Sequence, residues 1–154
     1  MSAQEYAKEP RIVTAVDGSE SSLSALRWAI RQARLTGAAL DAVAAWHNPV
    51  AAASYGYVQV GTAEDYDFKG ITEKVLADAI SSTLAPDSDV RVRSHVIEGN
   101  ASQVLIEASD GAELLVVGSR GHGGFTEALL GSVSQHCVHY AHCPVVVIRG
   151  QYQA

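Results

Sequence analysis

The sequence predicts an α/β fold: an open, doubly wound sheet of five parallel strands with helices on both faces. Three observations carry this expectation. Short runs rich in β-branched residues alternate along the chain with segments of helical period, the pattern of parallel strands joined by crossover helices. The strand-like run LLVV at 114–117 is wholly apolar, as a strand covered on both faces must be. Its 154 residues, 47% hydrophobic and 18% charged, suit one core, so a single domain over 1–154, packed over about residues 10–150, is expected.

The elements follow in order. Arg11–Val16, RIVTAV, is the first strand. Asp17-Gly18-Ser19 supplies a turn and a helix N-cap. Leu23, Leu26, Ile30 and Ala33 then share one helical face, and Gly37 closes that helix. Leu40–Trp46 is the second strand. His47–Asp65 shows no period, and a segment of that length within a domain reads as functional or moving. Phe68, Ile71, Val75, Ala79 and Ile80 mark a second helix that ends before Pro86. Asp89–Ile97 is the third strand, and Gly99-Asn100 turns into a third helix marked by Val104, Leu105 and Ala108. Asp110-Gly111 ends it, and Leu114–Val117 is the fourth strand. Val133, Cys137 and Tyr140 share a face of a fourth helix before the fifth strand, Pro144–Arg149. The whole is Rossmann-like. Right-handed crossovers and a strand order 3-2-1-4-5 are expected from the preferences of such folds.

Composition narrows the function. The formal net charge is −6 and no block of Lys or Arg occurs, which argues against nucleic acid and against an anionic membrane surface. No apolar run reaches the ~18 residues of a membrane span. The polar opening, MSAQEYAKEP, lacks the apolar core of a signal peptide, and two cysteines make no disulfide framework. A reducing, cytoplasmic location is therefore expected.

Glycine is concentrated at one place. GSRGHGGFTEALLGSVSQ, residues 118–135, holds five of the chain's 13 glycines. In doubly wound sheets ligands gather beyond the carboxyl ends of the strands, where the winding reverses. With order 3-2-1-4-5, the Asp17 turn and the Gly118 loop border the same crevice. Gly131-Ser132 opens the fourth helix, whose first N–H groups have no internal partner and whose dipole is positive there. That is an anion site. Ser132 and Ser134 hydroxyls can add hydrogen bonds, and Gly118 and Gly121 leave room for a flat or phosphorylated ligand. No Gly-x-x-x-x-Gly-Lys-Ser/Thr occurs, so this is no P-loop.

Gly118-x2-Gly121-x9-Gly131-Ser132 resembles the nucleotide-binding motif of the universal stress protein family. IVTAVDGSESS, Ile12–Ser22, resembles that family's opening, and HCPVVVIRG, His142–Gly150, its end. The resemblance implies ATP binding, Mg²⁺ with the triphosphate, and dimers. Position by position it implies that Asp17 meets the adenine or ribose end and that Ala15 and Ala45 border the base. Ala44-Ala45-Trp46 departs from the aliphatic residues common there. Gly118 is implied to lie against the ribose. Gly121, Gly131, Ser132, Val133 and Ser134 are implied to hold phosphates, mostly through main-chain N–H. Arg120 and His122, inside the loop, either neutralise phosphate charge or point to solvent.

Catalytic chemistry is not evident. There is no Gly-x-Ser-x-Gly elbow and no identifiable general base. His136, Cys137, His139, His142 and Cys143 match no zinc-finger spacing; the histidines suit a helix C-terminus and Cys137 a core, so no metal is expected. The expected function is an ATP-binding module that regulates an unknown protein partner. The alternative is a slow ATPase or an adenylyl-transfer enzyme on the same fold. The apolar strand Val145–Ile148 would be a sheet edge, and edges invite pairing, so a homodimer through it is expected.

Overall fold

Ile12 and Val13 face opposite ways along the first strand, and that alternation creates two cores. The computed structural model describes residues 9–48, 67–120 and 130–153. Its strands are β1 (Arg11–Ala15), β2 (Ala39–Trp46), β3 (Val92–Glu98), β4 (Leu114–Gly118) and β5 (Val145–Ile148). Its helices are α1 (Glu20–Thr36), α2 (Phe68–Thr83), α3 (Ala101–Ala108) and α4 (Ser132–Tyr140). The five strands form one sheet in the order β3-β2-β1-β4-β5, and every pairing is parallel. Fold and order are those the sequence predicts.

On one face Ile12, Leu40, Ala42 and Val116 pack against Leu26, Ala29 and Ile30 of α1 and Leu76 of α2. On the other, Val13, Val43, Leu115 and Val117 pack against Val104 and Leu105 of α3 and Cys137 of α4. Helices after β1 and β4 thus cover opposite faces, and the winding reverses between these two adjacent strands.

Side-chain caps start three of the helices. Ser19, Asp67 and Asn100 accept from the amides of Ser22, Gly70 and Gln103. Gly131, the N-cap of α4, has no side chain to do so.

Several positions differ from expectation. Ile71 is 56% exposed because it lies five residues before the buried Leu76, about 140° round a helix turning roughly 100° per residue. Tyr140 is 61% exposed: the buried line on α4 runs by fours from Val133 through Cys137 to Ala141, and Tyr140 falls beside it. β3 begins at Val92 rather than Asp89, although the Arg91 carbonyl still accepts from the Leu40 amide at 2.9 Å. Of the segment His47–Asp65, all but residues 47 and 48 lies outside the described residues.

Two polar arrangements fix the layers. Asp41 is buried on the α3/α4 side of β2, directly opposite Arg93. Arg93 Nε donates to Asp41 Oδ1 at 2.6 Å and its Nη2 to Oδ2 at 3.1 Å. His95 Nε2 lies 3.0 Å from Oδ1, and Arg11 Nη1 donates to Oδ2 at 3.3 Å. Arg11 also donates to the carbonyls of Ala108 and Asp110, at 2.9 and 2.5 Å, satisfying acceptors at the end of α3. The second arrangement is a close approach. A Cβ on Gly118 would stand 2.7 Å from the backbone carbonyl carbon and oxygen of Ser21. Glycine is needed there so that α1 can cross the end of β4.

Burial raises the Asp41 pKa, but hydrogen bonds from Arg93 and His95 and the Arg93 charge outweigh it, leaving the carboxyl below its ordinary value. A depressed carboxyl stabilises the fold above its unfolded pKa, and that contribution disappears as pH falls through the folded one. Asp41→Asn is expected to cost about 2 kcal/mol at neutral pH, given charge-assisted bonds to partly exposed partners. In urea titrations the gap between Asp41→Asn and the parent should hold at neutral pH and close as pH drops below about 4. A gap that is constant down to acid pH would show that the carboxylate charge does not matter. Gly118→Ala is expected to destabilise by about 1–3 kcal/mol through overpacking, seen as a lowered melting temperature. Adding Ser21→Gly should not rescue it, since the collision is also with backbone.

Candidate functional site

The β1–β4 reversal carries two loops. After β1, Val16 still pairs, its amide donating to the Val43 carbonyl at 2.9 Å, and the chain then turns at Asp17. Asp17 is exposed, and its Oδ1 accepts from the amide and hydroxyl of Ser19 at 2.9 and 2.5 Å. This is an Asx turn closing on the helix cap. Gly18 takes φ 83°, a left-handed conformation that glycine adopts without strain. The Asp17 amide donates to Ser22 Oγ at 3.3 Å, and Ser22 Oγ donates to the Ser19 carbonyl at 3.0 Å. The carboxylate therefore stands on a closed polar turn at the carboxyl end of the sheet.

After β4, the chain is tied to both flanking helices. Ser119 donates from its amide to the Ile148 carbonyl at 3.0 Å, while its own carbonyl accepts from the Gly131 amide at 2.7 Å. The buried Ser134 hydroxyl donates to the Gly118 carbonyl at 2.5 Å. The Arg120 amide donates to Ser21 Oγ at 3.1 Å. The start of α4 is thus held against the end of β4 by two bonds.

The first intrahelical bond of α4 runs from the Gln135 amide to the Gly131 carbonyl at 3.0 Å. The amides of Ser132, Val133 and Ser134 precede it. Among the described residues no side chain caps them, and the first turn carries no acidic residue. Three main-chain donors without a partner among the described residues, at the positive end of the helix dipole, suit an anion. Gly131 itself has φ −67°, which any residue can adopt.

The predicted site residues fall as follows. Ala15 and Ala45 are partly buried on the α3/α4 side, toward the carboxyl ends of β1 and β2. β1 and β2 are paired, with Ala15 opposite Val43, so the two alanines are near neighbours on one face. Ser132 is exposed, and Val133 is partly buried against the core. Ser134 differs from expectation: its hydroxyl is buried and donates to Gly118, so only its amide faces the helix start. Gly118 has a further reason to be glycine, since a Cβ there would meet the α1 backbone at Ser21. Arg120 is exposed at the end of β4, and Gly121 lies outside the described residues.

Sequence reasoning missed Ser21 and Ser119. Ser21 packs on Gly118 and accepts from Arg120, and the Ser119 carbonyl anchors Gly131. The serine run at 19, 21 and 22 was the available signal for Ser21; Ser119 acts through its backbone and has none.

The histidine and cysteine group sits apart from this crevice. Burial pushes the Cys137 thiol up to about 11, with nearby Cys143 adding to it, so Cys137 is protonated at neutral pH and acts as core. His136 and His139 lie with ring centroids 5.2 and 6.2 Å from that of Tyr140. Among the described residues, no three His, Cys, Asp or Glu side chains are grouped to hold a metal ion. Nor is any helix among them long and apolar enough to cross a membrane.

Known proteins share this fold. A universal stress protein of Mycolicibacterium smegmatis is 34% identical over 162 residues, covering 99% of this chain and 51% of its own length. The chain therefore spans about half the length of the curated relatives it matches. A crystal structure of a universal stress protein in complex with cAMP superposes with TM-score 0.61 at 24% identity, over 92% of this chain and 97% of that one. The universal stress protein of Archaeoglobus fulgidus in complex with dAMP gives TM-score 0.60 at 21% identity, over 92% and 98%. The profile of the Universal stress protein family matches residues 10–149, and the chain belongs to that family.

Proposed function

We propose that this chain is a cytoplasmic ATP-binding regulatory module. The observation that supports the reading is the start of α4: three main-chain donors, uncapped among the described residues and with no acidic residue in the helix's first turn, set at the β1–β4 reversal. Two similar structures hold cAMP and dAMP, both adenine nucleotides. In this reading the amides of Ser132, Val133 and Ser134, with Gly121 and Gly131, receive the phosphates. Asp17 meets the ribose or adenine end, and Ala15 and Ala45 form a low apolar border for the base. Gly118 lies beside the ribose, and Arg120 adds positive charge. Mg²⁺ accompanies the triphosphate, because the dipole's half-charge cannot balance it alone. Nucleotide occupancy then favours one conformation over another, and a protein partner reads the difference.

The test is calorimetry with ATP, ADP and cyclic AMP, on the parent and on Gly131→Ala. A methyl group at 131 would intrude on the phosphates while fitting the existing backbone. ATP affinity should fall at least about tenfold, with the melting temperature nearly unchanged. Undiminished ATP binding by Gly131→Ala removes the α4 placement, and no heat with any adenine nucleotide removes the function. Bound ATP recovered intact after minutes supports a module; product formed within seconds supports an enzyme instead.

The dimer belongs to the same reading. β5 is an edge of the sheet, and the tail turns away from it, the Tyr152 amide donating to Ser24 Oγ on α1 at 3.2 Å. The carbonyls of Pro144 and Ile148 accept from β4, so by alternation Val145 and Val147 direct their main-chain groups outward. Two copies of Val145–Ile148 pair antiparallel through those groups. Light scattering should give a dimer for the parent and a monomer for Val147→Pro, which loses an outward N–H. A monomeric parent, or a variant that remains dimeric, rules out this interface.

A further inference from the structure

A second opening lies away from the nucleotide crevice, where the last turns of α1 and α2 come together. It is a cleft of about 540 Å³, and Arg27, Arg31 and Arg34 line one side of it. The three arginines are spaced four and three apart, so they form one stripe on α1. Along the axis they span about 10 Å. Ile30 is at its buried floor, and Leu35, 70% exposed, stands at its rim. The opposite wall is neutral: Ser82 and Thr83 donate their hydroxyls to the Ala79 carbonyl, at 3.0 and 2.7 Å.

Among the described residues, no carboxylate forms an ion pair with Arg27, Arg31 or Arg34, whereas Arg11, Arg91 and Arg93 all have such partners. Arg31 Nη1 donates to the Tyr152 hydroxyl at 3.3 Å, a neutral partner that brings no counter-charge. The nearest acidic group along α2, Asp78, is paired with Lys74 at 3.1 Å. Three of the 11 Lys and Arg of a chain with net charge −6 therefore gather on one helix face, beside an exposed leucine. Their placement near the α1 C-terminus is favoured by the dipole, but that explains neither the stripe nor the cleft.

We propose that this cleft docks an acidic amphipathic helix of a partner protein. Guanidinium forks match carboxylates in paired geometry. Glutamates at i, i+4 and i+7 of an apposed helix repeat the spacing of the three arginines, and a neighbouring aliphatic side chain covers Leu35. Four of the cleft's lining residues, Arg31, Arg34, Leu35 and Ser82, are exposed, which suits a segment laid across it better than an enclosed small molecule. A long polyanion is disfavoured by the chain's overall negative charge.

The probe is a fluorescein-labelled, amidated helical peptide of about twelve residues, with three glutamates at that spacing and an adjoining leucine. It is titrated with the full chain and followed by anisotropy. Saturable binding is expected, weakening at least about tenfold when glutamine replaces the glutamates, and falling as salt rises. Combined Arg27→Glu, Arg31→Glu and Arg34→Glu should weaken it by a similar factor. The milder pair Arg31→Gln and Arg34→Gln, at exposed positions, should weaken it by several-fold with an unchanged melting temperature. Equal binding of the glutamine peptide, undiminished binding by both arginine variants, or no saturation by about 1 mM overturns the proposal. So does displacement by ATP, which would put the peptide at the start of α4. Tighter binding of an oligothymidylate through the same arginines overturns it in favour of nucleic acid.

Discussion

Helix α1 and strand β4 meet backbone to backbone at Ser21 and Gly118, and much of the crevice depends on that contact. With any side chain at 118, α1 would have to move off the end of β4. Ser21 Oγ would then be lost to the Arg120 amide, which it now receives as the chain leaves the strand. The same short stretch carries the carbonyls of Gly118 and Ser119 that hold Ser134 and Gly131. A steric constraint on one face of the sheet thus positions the start of a helix on the other. The amides at the start of α4 are held in place in this way, and preorganised donors need no rearrangement to meet an anion.

What could be read from the sequence was what depends on local pattern. Alternating apolar runs gave five strands and four helices in the right order, because each element's burial has its own period. The glycine at 118 was legible as a demand for space. Its reason was not, because the atoms that claim the space belong to Ser21, 97 residues earlier in the chain. Ser134 was legible as a polar residue at a helix start, but whether its hydroxyl faces outward or toward Gly118 is decided by packing. Asp41 gave no signal, since a lone aspartate in an apolar strand looks the same whether it is paired or not. Arg93 reaches it only through the β2–β3 register. Tyr140 and Ile71 show the limit of helical period near helix ends, where a shift of one residue moves a side chain off the core.

The placement of the arginines bears on how an acidic chain would offer a place to a polyphosphate, as the proposed function requires. Arg11 and Arg93 are committed to Asp41 toward the amino ends of the strands, and Arg91 to Glu9. Arg27, Arg31 and Arg34 lie along α1, lining the cleft beside α2. Arg120 stands at the end of β4, and Arg149 follows the neighbouring β5. Cations enclosed in a crevice would need counter-ions whenever the ligand is absent, whereas exposed guanidinium groups such as those on α1 are screened by water. Main-chain amides carry no net charge, so they need no such counter-ions and leave the empty crevice stable. The dipole of α4 supplies the sign of the field, and Gly131 keeps a side chain from taking the amides for itself. Under the two proposals, this separation would let one small fold distinguish two kinds of anion: one by neutral donors at the sheet's reversal, the other by guanidinium groups on a helix flank.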